Sequence, residues 1–160
     1  MRSEKDVLQA IDEYADTVYR LCFLYLKNKA DTEDIFQTVF MKYAISQRQF
    51  ETKEHEKAWI IRVTINECKD LLKKFFYRKT VSLDDIAELS YCSQDDHHEI
   101  LEAVLQLPEK YRNVIYLHYY EGYTAPQISK IMKKNVNTVY TLLTRAKKLL
   151  KEKLGGDIYE

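Results

Sequence analysis

Glycine and proline are nearly missing from this 160-residue chain, with three and two copies. So few turn-formers exclude a fold built on strand hairpins and point to helices throughout. The same shortage removes the glycine-rich loop that cradles a nucleotide phosphate, and no nucleophile elbow or nucleophile–base signature stands elsewhere. No catalytic residue is therefore assigned. Cys22, Cys68 and Cys92 are odd in number and far apart, which fits reduced thiols and gives neither a disulfide framework nor a zinc knuckle. No apolar run is long enough to span a bilayer, and Met1-Arg2-Ser3-Glu4-Lys5-Asp6 lacks the apolar segment of a secretion signal. A cytoplasmic setting without membrane insertion is the expectation.

Charge is plentiful and unevenly spread. Twenty-five basic and twenty-five acidic residues cancel over the whole chain. Residues 1–78 hold fourteen basic and thirteen acidic side chains, residues 79–106 hold one and seven, and residues 107–160 hold ten and five. A neutral block, an acidic connector and a basic block imply two modules. Apolar residues at 46% can fill a core in each.

The basic block carries the sharpest pattern. From Leu107 the sequence reads as a helix ending at Gly122, followed by helix, tight turn, helix. Thr124 and Gln127 form a capping box around Pro126, which sits in the first helical turn where a missing N–H costs nothing. Ile128, Ile131 and Met132 supply one apolar stripe. Lys133-Lys134-Asn135 interrupts it before Val139, Leu142, Leu143, Ala146, Leu149 and Leu150 resume at helical spacing. Two short helices with such a turn describe a helix-turn-helix. On the wheel Asn137, Tyr140, Thr141, Thr144 and Lys148 fall opposite the apolar side. Between Lys130 and Lys153 eight basic residues face the single acid Glu152, so phosphate is the obvious partner. The plainer alternative is a solvated helical hairpin used only for packing.

In the N-terminal block Val7, Leu8, Ile11, Tyr14, Ala15, Val18, Leu21 and Tyr25 repeat at three and four, predicting a helix over residues 5–27. Asn28 to Ala30 breaks it, and Asp31 is placed to cap a second helix with Glu33 and Asp34 in its first turn. Ile35, Phe36, Val39, Phe40 and Tyr43 form that helix's core stripe, leaving Asp34, Gln37, Thr38 and Met41 on the open side. After a polar loop a third helix is predicted over 57–77. Its apolar side is Ile60, Ile61, Thr64, Ile65, Cys68, Leu71, Leu72 and Phe75. Its other side holds Trp59, Arg62, Asn66, Lys69, Asp70, Lys73 and Tyr77. A tryptophan among cations and amides either stacks on an unpaired base while the cations hold phosphates, or tucks under a neighbouring helix. The wheel alone favours the second.

Together the blocks resemble bacterial sigma factors of the sigma-70 family, specifically the small extracytoplasmic-function group. Asp31-Thr32-Glu33-Asp34-Ile35-Phe36-Gln37-Thr38-Val39-Phe40 is similar to the family's polymerase-binding segment. The stretch from Trp59 through Arg62, Asn66 and Asp70 to Lys74 is similar to its promoter-melting helix. Leu107-Pro108, Arg112, Glu121-Gly122, Thr138-Val139 and Arg145-Ala146 match its C-terminal domain. The resemblance implies an all-α fold of two small domains joined by an acidic linker: an N-terminal helical bundle over 1–79, the linker over 80–95, and a helix-turn-helix domain over 96–160. It implies core RNA polymerase and promoter DNA as partners, with an anti-sigma factor as a further candidate, and no cofactor. Asp34, Gln37 and Met41 would contact polymerase. Trp59, Arg62, Asn66, Asp70, Lys73 and Lys74 would open and hold the downstream promoter element, which turns the reading of Trp59 toward function. Lys130, Lys133, Lys134, Asn135, Asn137, Thr138, Tyr140, Thr141, Thr144, Arg145 and Lys148 would bind the upstream element. Tyr111, Tyr116, Tyr119 and Tyr120 are a candidate anti-sigma surface, or equally core.

The chain departs from the family pattern at instructive positions. Most members place glycine where Lys133 stands, so Lys133 must adopt a left-handed conformation or shift the turn, at about 1 kcal/mol. Asn137, Tyr140 and Leu142 stand where relatives often carry Gly, Lys and Arg, which removes two basic groups near the reading end. Arg and Lys read guanine, whereas Asn pairs with adenine and threonine methyls touch thymine. The expectation is a reader biased to A·T pairs, held by phosphate contacts from Lys130, Lys133, Lys134, Lys147 and Lys148.

Ser82 with Asp85 looks like a small helix cap within the connector. Its acids could mimic nucleic acid or shield the basic helix; a solvated tether is the simpler reading. His98 and Glu102 share a metal-competent spacing beside His97, Asp95, Asp96 and Glu99, but no second ligand pair accompanies them, so no metal is assigned. The competing functions are a stand-alone helix-turn-helix regulator that never touches polymerase, and a structural adaptor without DNA binding.

Overall fold

The computed structural model describes residues 1–75 and 98–155, and every regular element among them is helical. By contact pattern the chain divides into two compact units, Met1–Thr80 and Val81–Glu160. The predicted linker over 80–95 with its Ser82–Asp85 cap lies outside the described residues, as do Tyr77, Cys92 and His97 and the side chains of Phe75, His98 and Glu99.

In the first unit α1 (Glu4–Leu26) starts at Ser3, whose hydroxyl oxygen accepts from the Asp6 N–H at 3.1 Å. It stops at Lys27, which turns left-handed at φ 61° and sends its N–H to the Phe23 carbonyl. The break is shorter than predicted. Asn28, extended at φ −150°, already caps α2 (Lys29–Ile45) by accepting from the Asp31 N–H at 2.9 Å. Asp31 is therefore a first-turn acid and not the cap, because the left-handed Lys27 delivers the required extended backbone at Asn28.

The third helix, α3 (Lys53–Phe75), begins four residues before its predicted start at 57. Thr52 starts it, its hydroxyl accepting from His55 N–H at 3.1 Å and its carbonyl from Glu56 N–H at 3.2 Å. The first turn is Lys53-Glu54-His55-Glu56, which carries no apolar signal.

Helix α1 packs against both α2 and α3, and α2 against α3. Val18, Leu21, Val39, Ile60, Ile61 and Cys68 are fully enclosed between them, and Thr64 joins this core by donating its hydroxyl to the Ile60 carbonyl at 2.8 Å. Six consecutive residues from Leu21 to Leu26 are buried, so the end of α1 is covered all round. Leu8, part of the predicted stripe, is instead 58% exposed, while Ala10 and Tyr14 turn into the core. Cys22 and Cys68 are buried thiols.

The second unit holds α4 (His98–Leu105), α5 (Glu109–Ile115), α6 (Ala125–Met132) and α7 (Val136–Lys153). Pro108, at ψ 148°, is not helical, so α5 starts at Glu109 and not at Leu107. The predicted single helix up to Gly122 also changes character on the way. Residues Tyr116–Tyr120 form a π-helical turn, closed by the Glu121 N–H to the Tyr116 carbonyl at 3.1 Å. Gly122, at φ 79°, ends the run. The capping box follows as predicted: Gln127 N–H to Thr124 Oγ1 at 3.3 Å, and Thr124 N–H to Gln127 Oε1 at 2.9 Å. Leu107, Val114, Leu117, Ile128, Val139 and Ala146 fill the core. Arg112 is buried, directing Nη1 to the Leu105 carbonyl at 3.5 Å, so it serves packing between α4 and α5.

Candidate nucleic-acid interface

The turn between α6 and α7 is made without glycine. Lys133 takes the left-handed conformation, φ 54° and ψ 47°, and its N–H and that of Lys134 both return to the Ser129 carbonyl. The turn keeps its usual form and stores the strain predicted for a residue with a β-carbon. Asn135 then caps α7 by accepting from the Asn137 N–H at 2.8 Å. Its side-chain oxygen thereby takes one hydrogen bond, and its two amide N–H donors remain on the exposed side chain.

Beyond the cap α7 divides as its sequence predicts. Val139, Leu142, Ala146 and Leu150 are buried, while Asn137, Thr138, Tyr140, Thr141, Thr144, Arg145, Lys147 and Lys148 are exposed. Lys130 and Lys133 are exposed beside them and Lys134 is partly so. Leu142 corrects one expectation. It belongs to the core, so its departure from the family pattern takes nothing from the outward face, and only Tyr140 does. Thr141 and Thr144 donate their hydroxyls back to the carbonyls of Asn137 and Tyr140.

On α3 the predicted face is also open. Asn66, Asp70, Lys73 and Lys74 are exposed and Arg62 is partly buried, following one another at helical spacing. Trp59 is half-buried. Its ring lies 6.3 Å from Tyr43 and 5.6 Å from Phe50, and the Arg2 guanidinium sits 4.3 Å above Tyr43 and 5.4 Å from Phe50. Packing thus holds one part of the indole and leaves another accessible. Tyr43, Phe50 and Arg2 also line an open cavity of about 460 Å³ with Lys53 and Glu56. Sequence reading did not join these residues, because they converge from the chain start, the end of α2 and the following loop, and share no periodicity.

On α2 the predicted contact residues Asp34, Gln37 and Met41 are all exposed. Ile45, one turn beyond Met41, is 65% exposed and extends the apolar end of that face. The wheel could have included it, since 41 and 45 share a side.

Two protein-family models match the chain, Sigma-70 region 2 over residues 10–75 and Sigma-70, region 4 over residues 97–150. The RNA polymerase sigma factor SigV of Bacillus subtilis is 30% identical over 153 residues, spanning 92% of this chain and 90% of its own. The chain belongs to the sigma-70 family. Its place within the family is the extracytoplasmic-function group, to which B. subtilis SigW, 27% identical over 90% of this chain and 86% of its own, also belongs. Two solved structures share the sigma factor's fold. Bartonella quintana RpoE, solved in complex with the anti-sigma factor NepR, superposes with a TM-score of 0.75 at 20% identity, over 96% of this chain and 99% of that one. CnrH, in complex with the cytosolic domain of CnrY, gives 0.70 at 19% identity over 97% and 91%.

Within the sigma factor the region 2 match covers most of α1 and all of α2 and α3, and the region 4 match covers α4 to α6 and α7 as far as Leu150. The four tyrosines considered for a partner surface divide. Tyr111 and Tyr116 are buried, whereas Tyr119 and Tyr120 on the π-helical turn are exposed. Tyr120 stacks on Tyr116 at 5.2 Å, and Tyr116 donates its hydroxyl to Glu121 at 2.8 Å. No helix among the described residues is long and apolar enough to cross a membrane, and no cluster of three or more His, Cys, Asp or Glu among them could hold a metal.

Proposed function

We propose that this chain binds core RNA polymerase in the cytoplasm and directs it to promoters, supplying specificity and strand opening while the chemistry stays with polymerase. The observation that carries the reading is the pair of sigma-70 regions, 2 then 4, each lying on its own compact helical unit. Residues 1–79 are assigned to polymerase binding and the downstream element, 96–160 to the upstream element, and 80–95 to the linker. Asp34, Gln37 and Met41, extended by Ile45, form the polymerase contact. Trp59, Arg62, Asn66, Asp70, Lys73 and Lys74 act on the opening strand, an exposed aromatic edge stacking on a base while cations hold phosphates. The cavity beside Tyr43 and Phe50 gives a displaced base somewhere to go. Lys130, Lys133, Lys134, Asn135, Asn137, Thr138, Tyr140, Thr141, Thr144, Arg145 and Lys148 dock α7 in the major groove. An anti-sigma factor is a further partner, supported by the similar B. quintana RpoE, solved with the anti-sigma factor NepR.

In-vitro transcription tests this directly, with purified chain and core polymerase on genomic fragments. Discrete starts that need the chain are expected, with Asn66→Ala blocking strand opening and Lys148→Ala weakening recruitment. Duplex binding by the chain alone, with no start sites, would leave the stand-alone regulator as the better account.

A further inference from the structure

Glu56 sits in the first turn of α3, where its carboxylate collects two phenols from two other helices. Tyr14 of α1 donates to Oε1 and Tyr43 of α2 to Oε2, both at 2.9 Å. Lys53 Nζ stands 3.8 Å from Oε1. Hydrogen bonds to a carboxylate are roughly twice as strong as neutral ones and are directional, so three helices are fixed on one group.

Tyr43 links this group to the face that acts on DNA. Its hydroxyl is on Glu56, its ring packs 6.3 Å from Trp59, and Arg2 covers it at 4.3 Å. Glu56 and Trp59 are themselves three residues apart and therefore neighbours on α3. An apolar side chain at position 56 could bury as much surface, but it could not fix the rotation of α3 about its axis. That rotation aims Trp59, Arg62 and Asn66.

We propose that Glu56 is a positioning residue for promoter opening, holding Trp59 in register through the hydroxyl of Tyr43. The proposal rests on the assignment of Trp59 to strand opening. Burial and the neighbouring carboxylate push both phenols above their ordinary range, Tyr43 to about 12, as the geometry requires of protons held by Glu56.

The test uses the full chain with core polymerase and three variants, Glu56→Gln, Glu56→Leu and Tyr43→Phe. Trp59 is the chain's single tryptophan, so its emission and quenching report its setting without labels. All three variants are expected to shift that emission and to slow open-complex formation on a duplex promoter on the order of tenfold, the scale of a small misplacement. A template already unpaired over the downstream element is expected to restore transcription. Glu56→Gln, which keeps an oxygen to accept from one phenol and an N–H to face the other, is expected to hold the melting temperature closest to that of the wild-type chain while still opening slowly, whereas Glu56→Leu strands both phenols and loses stability as well. Equal loss on duplex and pre-opened templates, or unchanged Trp59 emission, would overturn the proposal and reduce Glu56 to a fold-stabilising role. Failure of the wild-type chain to give any promoter-dependent transcript would instead overturn the functional reading beneath it.

Discussion

Thr141 donates its hydroxyl to the Asn137 carbonyl at 3.0 Å, one turn back along α7. Thr144 does the same to Tyr140 at 2.9 Å. Both hydroxyl protons are engaged within the helix, so each threonine offers outward its methyl group and an acceptor, but no free donor. No cation stands between Asn137 and Thr144. The reading end of α7 therefore presents an amide, a phenol, the Thr138 hydroxyl and the methyl groups of Thr138, Thr141 and Thr144.

Such a surface matches A·T pairs, through Asn to adenine and methyl to thymine. Selection from random duplexes is expected to return an A·T-rich upstream element. Asn137→Ala should lose about 1–3 kcal/mol of discrimination at one base pair, and Asn137→Arg should add a guanine to the motif. Thr141→Val, which keeps a methyl, should be milder than Thr141→Ser. A guanine-dependent motif from the wild-type chain would contradict the assignment.

With few base-reading cations, affinity is expected to come from phosphate contacts by Lys130, Lys133, Lys134, Lys147 and Lys148. Replacing Lys148 or Lys130 with alanine should weaken binding alike on all sequences and lower the slope of log K against log salt by about 1 each. Titrations at several salt concentrations measure this. A variant that changes sequence preference while leaving the slope intact would place that lysine at a base.

Lys133 and Lys27 are the two non-glycine residues with positive φ among the described residues. Each ends a helix, and each should gain stability on replacement by glycine, up to about 1 kcal/mol. The two variants separate fold from function. Lys27→Gly should raise the melting temperature and leave DNA binding unchanged, whereas Lys133→Gly should raise it and weaken binding through the lost charge. Calorimetry alongside salt titration distinguishes them.

Periodicity made the helices legible because each buries one stripe, and it carried α1, α2, α6 and α7 to within a few residues. It failed where chain ends are set by polar groups. Asn28 and Asp31 are equally good capping types, and only the left-handed Lys27 decides between them. The start of α3 is hidden by four polar residues that Thr52 nonetheless caps. The π-helical turn leaves no sequence trace, since a helix widened by one residue keeps nearly the same apolar spacing. At the site the single-helix faces of α2, α3 and α7 were readable from the wheel. The cluster of Arg2, Tyr43, Phe50 and Glu56 was not, for it draws on four segments and exists only once they pack.

The same cluster predicts a response to alkali. Tyr14 and Tyr43 have phenols raised above the ordinary value of 10.0, by burial first and by Glu56 next. The fold thus favours their neutral forms. Their contribution to stability is fully present below pH 10 and is lost as pH rises from there through about 12, where Tyr43 ionises in the folded chain. Absorbance of tyrosinate and helical circular dichroism, followed together, should show the late phenols ionising as helix is lost. Tyr43→Phe should lower stability at neutral pH and flatten its decline above pH 10, because one of the two groups driving that decline is gone. An alkaline loss of helix that is unchanged in Tyr14→Phe/Tyr43→Phe would show that the phenols on Glu56 do not control the transition.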